Sequence, residues 1–211
     1  MVNNLLILEK LRAGICGLSH ALLEKPRTTI QTSFQSLDAI LPGGGLPLES
    51  FVEILSEGDG SNALSFALRI ARRALAQRAN WAVVDTEAIF YPPAAHAFGF
   101  DEKRLILLRP RADDDAWAFT QLLQSIDVGV CFWVTRRMDN IVFRRLQLAA
   151  ERGGGLGFVL RPLSAMRKPC WAGLRLKTVY LPNASNPRLR VHVLHASGRL
   201  TDSDRTAEIA L

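Results

Sequence analysis

Residues 32–71, TSFQSLDAILPGGGLPLESFVEILSEGDGSNALSFALRIA, decide how the rest of the chain is read. A turn-rich lead-in precedes a short apolar run, Phe51 to Leu55. A Gly/Ser-rich loop, Ser56 to Asn62, and an amphipathic helical pattern follow. Strand, flexible loop and helix in that order are the layout of a phosphate-cradling loop. The residues that carry its chemistry are missing. The pattern G-x-x-x-x-G-K-[ST] needs glycines, a lysine for the outer phosphates and a hydroxyl for magnesium. With strand and helix held in register, its positions fall on Ser56, Ser61, Asn62 and Ala63, and sliding the frame to Gly58 or Gly60 recovers no lysine. Glu57 and Asp59 place carboxylates where a nucleotide would bring its own negative charge, and like charges repel. Two readings stay open for this degenerate site (Ser56, Gly58, Gly60, Ser61, Asn62 and Ala63): a loop that only joins strand to helix, or weak nucleotide binding without hydrolysis.

Downstream, apolar runs alternate with helical patterns, as in an α/β fold with a mostly parallel sheet. Trp81 to Asp85 reads as a buried strand, with Glu87 just past its carboxyl end, the side on which doubly wound sheets bind ligands. Leu105 to Leu108 is a third short strand. Asp113, Asp114 and Asp115 cap a helix running to about Ser125, since consecutive carboxylates splay around a turn rather than converge on a metal. Val128 to Val134 is the most apolar run and reads as the central strand. Asp139 or Asn140 starts a helix that reaches Arg152 and stops at Gly153, Gly154 and Gly155. Alternation from Leu174 to Val193 around a Pro182 to Pro187 turn indicates an antiparallel hairpin at the sheet edge.

The length of 211 residues suits an N-terminal helix and linker (1–30), one core domain (31–196) and a polar, mobile tail (197–211). A hydrophobic share of 48% with 22% charged residues excludes a disordered chain. Leu8, Leu11, Ile15, Leu18 and Leu22 fall on one helix stripe, which either folds onto its own domain or docks on a neighbouring chain, making a homo-oligomer. Glu9, Lys10 and Arg12 interrupt this segment before a signal peptide or membrane span could form, so a cytoplasmic protein without membrane contact is expected. Cys16, Cys131 and Cys170 are scattered and odd in number, and His192 and His195 alternate faces, so no disulfide framework or metal site is expected. The net charge of +6, with a pI near 9.7, fits nucleic acid or an acidic protein. Much of it gathers late in the chain: Arg136, Arg137, Arg144, Arg145, Arg152, Arg161, Arg167 and Lys168 form a candidate DNA- or partner-binding set. Trp171 is the one plausible aromatic there for stacking a base. DNA, an acidic protein patch and a merely solvated face all remain open.

The lead-in SLDAILPGGGLP and the strand bearing Glu53 resemble the start of the RecA recombinase ATPase core. RRLQLAAERGGGLGFVLRP, Arg144 to Pro162, and the Trp171 to Lys177 strand are similar to the signature stretch of ImuA, a RecA-related family of accessory proteins in bacterial SOS mutagenesis cassettes. The resemblance runs from about Thr32 to Leu194. It implies a RecA-like P-loop NTPase fold, a role in translesion DNA synthesis, and contacts with the recombinase RecA and with error-prone polymerase components. It also sets Glu87, within V-D-T-E, at the position of the family's water-positioning catalytic glutamate. The aspartate that RecA-like ATPases carry after the Val128 to Val134 strand is replaced by Thr135, Arg136 and Arg137. Glu87 is therefore a relic candidate, and a non-catalytic protein without cofactor is expected. The alternative is a DNA-dependent ATPase that uses ATP and magnesium through a non-standard loop.

Overall fold

Ser50–Ser56, β3, is buried at every residue and sits mid-sheet between two parallel neighbours. The computed structural model describes residues 28–57, 62–75, 78, 80–111, 113–136, 138–168, 170–182, 187–196 and 205–210. The stripe Leu8, Leu11, Ile15, Leu18 and Leu22 lies outside them, as do Gly58, Gly60, Ser61 and Arg137.

A two-stranded ribbon, β1 (Thr29–Ile30) and β2 (Leu46–Pro47), brackets the lead-in and its short helix α1 (Gln35–Ile40). The main sheet has eight strands in the order β10-β9-β8-β3-β7-β6-β4-β5. Its further members are β4 (Asn80–Val84), β5 (Leu105–Leu108), β6 (Val128–Val134), β7 (Leu156–Pro162), β8 (Leu174–Leu181), β9 (Arg188–Ala196) and β10 (Thr206–Ala210). From β8 to β5 every pairing is parallel, whereas β8, β9 and β10 pair antiparallel. The hairpin of β8 and β9 is the one its alternation indicates. The most apolar run, β6, is not the midline of the sheet; β3 and β7 lie deeper, and burial on both faces makes all three read alike.

The helices divide between the two faces. α2 (Ala63–Leu75) buries Phe66, Ala67, Ile70, Ala71 and Ala74 against the face bearing Val52, Ile54, Val83 and Phe132. α3 (Pro92–His96) contributes Ala95 on that side. α4 (Asp115–Gln124) and α5 (Asn140–Gly153) cover the other face, where Phe119, Leu123, Phe143 and Leu146 meet Phe51, Cys131, Trp133 and Val159. α5 starts where expected: the Asp139 carboxylate accepts the Val142 N–H at 2.8 Å. It stops because Gly154 takes the left-handed conformation at φ 69°, which costs a glycine little. Asp114 occupies the N-cap of α4 without a side-chain cap bond; Asp115 instead accepts its neighbour's Ala116 N–H at 2.7 Å.

The segment after residue 196 is more than a polar tail. Residues 206–210 form β10, which replaces β9 as the sheet edge. Ala207 and Ile209 point inward while Thr206, Glu208 and Ala210 face out, an alternation too short to stand clear in the sequence. Arg69 of α2 donates to the Ala210 carbonyl at 2.9 Å and lies 5.7 Å over the Phe34 ring. That arginine therefore clamps the edge strand rather than facing solvent alone.

Candidate functional site

The outgoing connections of β3 and β7 leave in opposite directions, β3 toward β4 through α2 and β7 toward β8. Their carboxyl ends therefore bound a topological switch point, where open α/β sheets place ligands. Ser56 is buried there, opposite Pro162 and Thr178. Across the loop, Asn62 sits in left-handed backbone at φ 54°, and its carbonyl accepts the Phe66 N–H at 2.8 Å to open α2. Asparagine tolerates that conformation better than most residues. Ala63 is already packed in the core.

At the ends of the next strands, carboxylates are engaged by neighbours. Asp85 is buried and accepts the Ile89 and Phe90 N–H groups at 3.0 and 3.1 Å. Arg109 approaches it at 3.5 Å. Glu87 is exposed, with its Oε1 3.8 Å from Arg136 Nε, a separation at which a solvated pair contributes little. Burial raises the Asp115 carboxyl above its ordinary range, and the Ala116 N–H and Trp133 indole only partly offset it.

The arginine set expected late in the chain splits in two. Arg144, Arg145 and Arg152 lie on the outer face of α5, and Arg167 and Lys168 are exposed on the connection from β7 to β8. Arg136 is exposed at the end of β6. Arg161 is not with them. Its side chain is wholly buried, 2.7 Å from Glu53 Oε1, and its guanidinium lies 5.5 Å over the Phe143 ring. Arg175 approaches the other Glu53 oxygen at 2.8 Å and donates to the carbonyls of Ala165 and Lys168 at 2.7 and 3.1 Å. No surface role is open to Arg161 in this arrangement. The cluster instead staples the connection, 163–173, across β3 on the α5 face, where Gly173 N–H also donates to the Phe51 carbonyl at 3.1 Å. Two cations here face one carboxylate, and the Nε and Nη2 of Arg161 find no acceptor among the described residues. The sequence carried a signal for this cluster. Glu53, Arg161 and Arg175 each interrupt a run that is otherwise apolar, in FVEIL, GFVLRP and GLRL.

Cys170 borders the cluster, and burial first, then the Glu53 charge, pushes its thiol far above the ordinary range. It is held as the unreactive thiol, since nucleophilic attack needs the thiolate. Among the described residues no group of His, Cys, Asp or Glu is placed to hold a metal, and no helix is long and apolar enough to cross a membrane.

Two curated proteins named Protein ImuA, from Caulobacter vibrioides strains NA1000 / CB15N and ATCC 19089 / CIP 103742 / CB 15, are each 31% identical to this chain over 142 residues. Over that span the chain is similar to ImuA. The match takes in 64% of this chain and 58% of each relative, less than two thirds of the curated proteins' length. No family model matches the chain.

Proposed function

We propose that this chain is a RecA-like accessory protein of SOS mutagenesis and translesion DNA synthesis, acting through contacts rather than through nucleotide hydrolysis. The similarity to ImuA supports the pathway, and the parallel sheet with its switch point at the ends of β3 and β7 supports a RecA-like P-loop ancestry. The observation that carries the non-catalytic reading is the chemistry at the start of α2. Asn62 brings no positive charge and Ala63 no metal-binding oxygen, where phosphoryl transfer relies on a lysine and a magnesium-holding hydroxyl. Glu87, turned toward Arg136, cannot replace them, because that chemistry depends on positioning and charge neutralisation. The partners under this reading are the recombinase RecA and error-prone polymerase components, reached from the cytoplasm.

A DNA-dependent ATPase is the competing reading, with ATP and magnesium in a non-standard loop and Glu87 positioning water. Titration of the full chain with ATP and magnesium, with and without single-stranded DNA, separates the two. No saturable binding and no phosphate release are expected. Turnover that disappears in Glu87→Gln would replace the contact reading with the enzyme.

A further inference from the structure

Helix α5 has two apolar rows. Phe143, Leu146, Ala149 and Ala150 face the core. Ile141 and Leu148 face outward and stay 64% and 44% exposed. Single exposed apolar residues are ordinary, but these two are seven apart, with Arg144 and Arg145 between them and Arg152 one turn beyond. Offsets of 3, 4, 7 and 11 residues from Ile141 place all five on a single stripe, about 16 Å long at the rise of an α-helix. None of the three arginines has an acidic partner among the described residues. The acid on this outer face, Glu151, is taken by the Gln147 amide at 2.8 Å. Trp117, in the first turn of the adjacent α4, is 66% exposed.

We propose that this stripe is a docking surface for an acidic amphipathic helix of a protein partner, whose apolar row seats on Ile141 and Leu148 while its carboxylates pair with Arg144, Arg145 and Arg152. This deepens the accessory-protein reading and rests on it. Charge alone would suit nucleic acid equally. The apolar pair decides between the two: phosphates engage the arginines but leave Ile141 and Leu148 in water, and the exposed Trp117 ring stands on α4, not among the five residues of the stripe. A helix laid along it buries both and meets the guanidinium groups with carboxylates, which arginine binds in bidentate fashion.

The test uses the full chain and a labelled synthetic helical peptide of about 20 residues, long enough to hold a helix, with leucines on one row and glutamates flanking it. A labelled single-stranded oligothymidylate serves as the second probe, and both are read by fluorescence anisotropy. The peptide is expected to bind saturably. Its affinity should fall at least about tenfold, or 1.4 kcal/mol, in Arg144→Glu/Arg145→Glu and separately in Ile141→Ser/Leu148→Ser, both melting like the parent. Lys103→Glu, at an exposed residue just before β5 and outside the stripe, should leave it unchanged. No saturable peptide binding, or binding indifferent to the apolar pair, overturns the proposal. So does oligothymidylate binding that is tighter than peptide binding, lost with the arginines and unmoved by Ile141→Ser/Leu148→Ser. ATP turnover in the earlier titration would sink the non-catalytic reading and leave these outcomes legible on their own.

Discussion

Replacing Glu53 by glutamine leaves the shape of the sheet interior intact and removes the one negative charge between Arg161 and Arg175. Charge centres about 4 Å apart attract by about 4 kcal/mol at an effective dielectric near 20. Glu53 makes two such contacts, and without it the two buried cations repel each other across the vacated charge. Removing the shared partner of a buried ion pair costs about 3–5 kcal/mol, because the remaining charge is left uncompensated. For a chain of 211 residues that corresponds to a fall in Tm of about 6–20 °C. Arg161→Met behaves differently. It deletes one of the two cations, the one hydrogen-bonded to Glu53, but leaves the carboxylate 2.8 Å from Arg175 and removes a guanidinium with two unpartnered nitrogens, so it should cost less than Glu53→Gln, about 2 kcal/mol. Thermal and urea unfolding of the two single variants measure both quantities. Equal losses in the two variants, or less than about 1 kcal/mol for Glu53→Gln, would refute the assignment of Glu53 as the counter-charge that holds the connection 163–173 in place.

Two further outcomes are expected. Deleting residues 205–211 uncovers the surface on which Ile209 and Ala207 pack, and should lower stability by about 2–4 kcal/mol, read as a drop in the urea midpoint. His192 is held below its ordinary pKa by burial and by the charges of Lys177 and Arg190. On acidification the unfolded chain binds that proton first, so stability is full above pH about 6.5 and declines as pH falls below it toward the lower folded-state pKa. Urea midpoints between pH 7.5 and 5 should show this contribution, and His192→Gln should remove it.

The elements that carry the sheet were legible because each makes one demand the sequence meets alone. β4 and β6 are strongly apolar runs, β3 is one broken only by Glu53, and α5 announces its start with Asp139 and its stop with Gly154. What stayed hidden depends on a distant partner. Arg161 reads like the exposed arginines around it until β3 brings Glu53 alongside, 108 residues away in sequence. Period-two alternation cannot mark which way a residue points when both faces of the strand are covered. β10 has five residues, and only pairing with β9 distinguishes it from a solvated end. At the candidate site, the missing lysine and hydroxyl were plain from Asn62 and Ala63, whereas the contact between Glu87 and Arg136 depends on how two neighbouring strands end.

The short helix α1 is held from far away. Its Ser36 hydroxyl donates to the Glu208 carbonyl at 3.4 Å across 172 positions, and Arg205 reaches the Ile40 carbonyl at 3.4 Å. Contacts of such separation form late, since the intervening loop must close before they return any energy. During synthesis, then, the lead-in emerges early and waits for β10 before it can settle, and the segment that runs into the amino end of β3 is among the last parts of the molecule to become fixed.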